Sequence, residues 1–131
     1  MLSWFQNLFQ RRQVTVGRQT PPLTRVAFDD GEIRVAESHG VSQQIRWANL
    51  GSVLVKATNA GPERLELCWV LTQRDGRQGV VVPMGATGEI DLLHAMQARL
   101  EGFDNMAVIE AMSSLEAGDF QVWPPAADLG G

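Results

Sequence analysis

One cysteine, Cys68, stands in a chain of 131 residues. A single thiol can make no intramolecular disulfide and no cysteine-based metal cluster, and it suits a reducing compartment. Histidine is nearly as scarce. His39 and His94 have no carboxylate or cysteine at the spacing of a metal motif, so both read as ordinary surface or boundary side chains. Lysine is reduced to Lys56, and ten arginines supply the remaining basic charge. The formal net charge is −4, which makes nucleic acid a poor partner. No stretch approaches the ~20 consecutive apolar residues of a membrane span. The N-terminus places its apolar residues before its charges and has no small-residue cleavage site, unlike a signal peptide. The expectation is a cytoplasmic protein, with attachment to the periphery of the inner membrane left open.

Chemistry-bearing motifs are missing as well. Gly85-Ala86-Thr87-Gly88 precedes a helical pattern but lacks the Gly-Lys-Ser/Thr ending of a phosphate loop and the dinucleotide fingerprint. It reads as a strand-to-helix connection. Asp29, Asp30 and Glu32 cluster around Gly31 without the spacing of a calcium loop, and Asp-Gly is what a tight turn needs. Cys68 has no sequence-local base and reads as a structural thiol. Ser38, Ser42 and Ser52 lie in no nucleophile-elbow context. No catalytic, cofactor-binding or metal-binding residue is assigned, and the chain is expected not to be an enzyme.

What is present is unevenly placed. Residues 1–28 hold Arg11, Arg12, Arg18 and Arg25 and no acid, while the rest holds 15 acids against 7 bases. Such asymmetry suggests different surroundings for the two parts. At about 100° per residue, Leu2, Trp4, Phe5, Leu8 and Phe9 share one arc of residues 1–13, with Arg11 and Arg12 at the end. This predicts a short amphipathic helix. A helix so short is marginal alone, so its apolar arc must be covered. The cover is the domain's own surface, a protein partner or second copy, or a membrane interface helped by the arginines. Those seven residues are the candidate contacts.

From residue 14 to 123 the pattern predicts one β-rich domain. Val14–Val16 is a possible first strand, and Pro21-Pro22 a connector. Val26 and Phe28, the Asp30-Gly31 turn, then Ile33 and Val35 make a hairpin. Ile45 and Trp47 alternate next, then Val53, Val55 and Ala57, then Leu65, Leu67, Trp69 and Leu71. Asp75-Gly76 turns into a return strand over 79–83. Trp47 and Trp69 are expected in the core. Residues 88–101 predict a helix with Thr87 as cap and Ile90, Leu93, Met96 and Leu100 on its buried face. Gly102 stops it. Asp104 caps a second helix, with Phe103 and Val108 as a staple and Met106, Ile109, Met112 and Leu115 as the buried stripe. Phe120–Trp123 predicts a last short strand, and 124–131 a flexible tail.

Six or seven antiparallel strands closed by C-terminal helices resemble the pleckstrin-homology-like superfold over roughly residues 14–101. More narrowly, Ile45-x-Trp47-x-x-Leu50 leading into Val53-x-Val55, the long strand Leu65–Leu71 and the Gly102-Phe103 helix ending are similar to a group of uncharacterised small bacterial proteins. The resemblance implies an α+β fold, a PH-like barrel or sandwich, and no activity. Phosphoinositide binding by related folds uses basic residues in the first hairpin loop. Here that loop is Asp29-Asp30-Gly31, so headgroup binding is not carried over. The expected role is a non-catalytic interaction or scaffold domain for protein partners or self-association, with the membrane-anchored reading as alternative.

Overall fold

A computed structural model of the protein describes residues 24–37, 42–61 and 64–125. The expected N-terminal helix, the Val14–Val16 strand, His39 and most of the expected tail lie outside the described residues. Within them the chain is α+β. Its strands are β1 (Arg25–Phe28), β2 (Glu32–Ala36), β3 (Ser42–Arg46), β4 (Leu50–Gly61), β5 (Arg64–Gln73) and β6 (Gly79–Pro83). Helices α1 (Glu89–Arg99) and α2 (Asn105–Ser113) follow, and β7 (Gly118–Trp123) returns last. No described helix is long and apolar enough to cross a membrane.

Period-two alternation builds the sheets. In the first hairpin Val26 pairs with Val35 and Phe28 with Ile33. Its turn is held by Asp29, whose Oδ1 accepts from the Gly31 N–H at 2.8 Å and the Glu32 N–H at 2.9 Å. Those two amides, with help from the Arg34 guanidinium, hold the Asp29 carboxyl below its usual range. The acidic cluster is therefore a turn lock, with Arg34 bridging Asp29 and Glu32. The second expected turn also forms, with Asp75 Oδ1 accepting from the Arg77 N–H at 2.9 Å. In the longest ladder Val53, Val55 and Ala57 face Leu71, Trp69 and Leu67.

The described strands make two antiparallel sheets, β1-β2-β3 and β6-β5-β4-β7, and do not close into a barrel. Ile33, Val35 and Ile45 of one sheet share a core with Val53, Val55, Trp69, Leu71, Val80 and Val82 of the other. Where β3 approaches β6, a side chain replaces the ladder, because the Val81 N–H donates to Gln43 Oε1 at 3.4 Å. Beyond β6, the Val26 N–H donates to the Thr87 carbonyl at 2.8 Å, which ties β1 to the approach of α1.

Several local expectations are corrected. Trp47 does not lie in a strand. It opens a single 3-10 turn, Trp47–Asn49, and is half-buried, with its indole N–H donating to the Asp29 carbonyl at 2.8 Å. Arg99 lies over that ring at 4.7 Å. Thr87 does not cap α1. The cap residue is Gly88, in the left-handed region and with no side-chain bond. On α1, Ile90 is exposed while Glu89 is buried, because Glu89 Oε2 accepts the Trp69 indole N–H at 2.8 Å. Asp104 does cap α2, accepting from the Ala107 N–H at 3.1 Å. Asp104→Ala should lower stability by about 1 kcal/mol in chemical denaturation, and Asp104→Asn should recover most of it.

Candidate functional site

The short link from α1 to α2 is pinned at several points. The Asp104 N–H donates to the Val122 carbonyl at 3.0 Å, and the Trp123 indole N–H to the Glu101 carbonyl at 3.0 Å. Phe103 packs on the Trp69 ring at 6.3 Å between centroids. Gln97 donates to Asn105 Oδ1 at 2.9 Å across the two helices. These contacts fix how α2 lies on β7 and β4.

They also fix which face it buries. Ala107, Val108 and Ala111 join the core. Met106, Ile109 and Met112 do not. They are exposed, as is Leu115 just beyond the helix at 92%. The expected buried stripe is therefore an exposed ridge. The physical reason is that α2 is apolar almost all round, so two arcs compete for the core. The small-residue arc wins because it lets the helix approach the sheet closely, and the bulky arc is left outside. An apolar-all-round helix is ordinarily covered on every side, and a contiguous exposed apolar patch ordinarily marks an interaction surface.

Leu115 is held outward by a local turn. The Ser114 hydroxyl donates to the Glu116 carbonyl at 2.7 Å and accepts from the Glu116 N–H at 3.1 Å. The stretch of chain that carries the ridge is acidic. From Leu100 to Gly131 the chain has no Lys or Arg. Exposed Glu110 and Glu116 lie within the ridge segment, with Glu101 and Asp119 nearby in sequence. The last arginine before it, Arg99, is bonded to Asp30 at 2.6 Å. Asp119 is paired with Lys56 at 2.8 Å.

The seven contact residues expected from sequence, Leu2, Trp4, Phe5, Leu8, Phe9, Arg11 and Arg12, lie outside the described residues. Among the described residues no three of His, Cys, Asp and Glu converge as a metal site. A shallow hollow between β1 and α1 is lined, among the described residues, by Val26, Ala27, Phe28, Gly88, Asp91, His94 and Ala95, none of them a Ser, Thr or Cys nucleophile. Cys68 is half-buried and lies across the ladder from Lys56, a neighbour invisible from local sequence. The ridge residues are visible in the sequence, but their spacing alone assigns them to the core. The signal that distinguishes them is the second apolar arc on the same helix. Comparison with protein families, with curated proteins and with solved structures finds no match for this chain.

Proposed function

We infer that the protein is a non-catalytic interaction domain, of PH-like type, that docks a basic amphipathic segment of a partner protein on the α2 ridge. The observation that carries this reading is the exposed row Met106, Ile109, Met112 and Leu115, set in a stretch of chain from Leu100 onward that holds carboxylates and no Lys or Arg. Rows at this spacing are how a helix meets an apolar partner helix. The flexible methionines suit a surface that adapts to its ligand. Sign of charge selects the partner. A second copy would bring Glu110 and Glu116 against their own kind, and an anionic membrane would meet the same repulsion. Lys or Arg beside an apolar stripe would be attracted. Two packed antiparallel sheets with a helix after the sixth strand support the PH-like description of the scaffold, and the second helix and late strand are additions to it.

The test uses two amphipathic helical peptides with one apolar face between them, one with lysine and the other with glutamate on the polar face. The full chain should bind the lysine peptide at least ~10-fold more tightly, a difference of about 1.4 kcal/mol. The preference should shrink with added salt. Ile109→Asp and Met112→Asp should each weaken binding about 10-fold or more while leaving the exposed helix folded. Equal binding of both peptides, or full binding by the Asp variants, would overturn the reading. Concentration-dependent dimerisation lost in the same variants would assign the ridge to a second copy instead.

A further inference from the structure

We propose that Met106 and Met112 form a modification site, at which a peroxide converts both thioethers to sulfoxides and turns off the α2 ridge while the domain stays folded. This deepens the docking reading of the ridge and rests on it. The described methionines divide by position. Met96 is 0% exposed and belongs to the core cluster, and Met84 is half-buried and packed against it. Met106 and Met112 are each 63% exposed and belong to neither group. An oxidant must reach the sulfur lone pair, so the ridge pair is open to it and Met96 is not. Placement on the helix makes the pair effective. At about 100° per residue, Ile109 lies roughly opposite the buried arc of Ala107, Val108 and Ala111. Met106 stands about 60° to one side of Ile109 and Met112 about 60° to the other. They are about 9 Å apart along the axis at ordinary helical rise. A partner helix laid on Ile109 therefore meets both sulfurs.

The step needs no reactant beyond the peroxide. The sulfur lone pair attacks one oxygen of hydrogen peroxide, and an S–O bond forms as the O–O bond breaks. The departing hydroxide takes the proton of the sulfur-bound oxygen and leaves as water. Sulfur gives up two electrons and the peroxide gains them. Reversal uses two thiols of a methionine sulfoxide reductase, which end as a disulfide while the oxygen leaves as water. The product is polar where the thioether was apolar and flexible. In the free protein its oxygen stands in water, so the fold loses no contact it uses. In the docked state that oxygen faces an apolar stripe and goes unpaired, which opposes docking. Ile109 and Leu115 have no such chemistry, so the methionines alone make the ridge sensitive. Cys68 is the competing target, half-buried on β5 and away from α2.

The test treats the full chain with hydrogen peroxide and maps its peptides by mass. Met106 and Met112 should each gain one oxygen about 10-fold or more faster than Met96. The doubly oxidised chain should keep the denaturation midpoint of the untreated one. Its binding of the lysine-faced peptide should weaken about 10-fold or more. Two methionine sulfoxide reductases, one for each sulfur epimer, should restore it. Met106→Leu with Met112→Leu keeps volume and apolarity. That variant should bind as the parent does and keep its affinity after peroxide, although Cys68 is still present. Unchanged binding by the chain oxidised at both residues overturns the proposal. So does equal oxidation of Met96, unfolding of the oxidised chain, or loss of binding by the leucine variant after peroxide, which places the sensitive group elsewhere. The untreated chain is measured first. If it shows no preference for the lysine peptide, the docking reading fails and the switch with it. If it shows that preference and oxidation leaves it intact, the switch alone fails.

Discussion

Trp69→Ala should lower the free energy of unfolding by about 3–5 kcal/mol, measured by guanidinium denaturation. Trp69 is the largest fully buried side chain of the domain and faces Val55 across the central ladder. Its loss opens a cavity between the sheet and Phe103 that rigid strands cannot close. It also removes the donor on Glu89, a 6%-exposed carboxylate whose remaining bond in the structure is the Gly85 N–H at 3.3 Å. Trp69→Phe separates the two effects. It keeps most of the ring and leaves the carboxylate one donor short, for about 1–3 kcal/mol. Glu89→Gln keeps an acceptor oxygen and should cost least. If Trp69→Phe equals the parent, the indole–carboxylate bond contributes nothing net. Against a total stability of about 5–15 kcal/mol, Trp69→Ala alone should remove a large share of what holds the domain folded.

Gly88→Ala should be the next most damaging single change described here. Gly88 has φ +88°, and an added Cβ would run into the backbone carbonyl oxygen of Val26. The left-handed conformation costs a non-glycine residue about 1–2 kcal/mol. The collision adds to that, because a backbone cannot turn aside as a side chain can. Relief requires β1 to move off the start of α1, at the expense of the Val26–Thr87 bond. The expected loss is about 2–4 kcal/mol, combining strain and a broken bond. Gly76→Ala is the control. Gly76 has φ +73° with nothing within 4 Å of an added Cβ, so strain acts alone. Its melting temperature should fall by no more than about half as much as that of Gly88→Ala. Equal shifts would mean that β1 gives way freely.

These two sites differ in how far they can be read from the sequence. The hairpins are legible because their causes are local. Asp30-Gly31 and Asp75-Gly76 sit between runs of period two, and Asp104 stands at the head of a helical pattern. Burial of Glu89 is not legible, because its partner is an indole twenty residues upstream. Trp47 keeps the alternation of β3 in sequence but lies past its end, where the chain turns to reach β4. Partition into two sheets is also non-local, since β7 chooses β4 rather than a sequence neighbour. The ridge escapes for a different reason. Met106, Ile109 and Met112 do form one face, but the choice between that face and Ala107, Val108 and Ala111 depends on the room above β4 and β7. Periodicity says that a helix has a stripe, and says less where it has two.

β7 pairs along β4 on the side opposite β5, with Lys56 and Asp119 joined across 63 positions of sequence. Until residue 123 has been synthesised, β4 has a bare hydrogen-bonding edge and Val122 is missing from the core. Contacts of such separation slow folding, and a waiting strand edge can recruit other chains. The domain therefore completes its central sheet late on the ribosome, and a message truncated before Gly118 would release a product whose longest strand is open to aggregation.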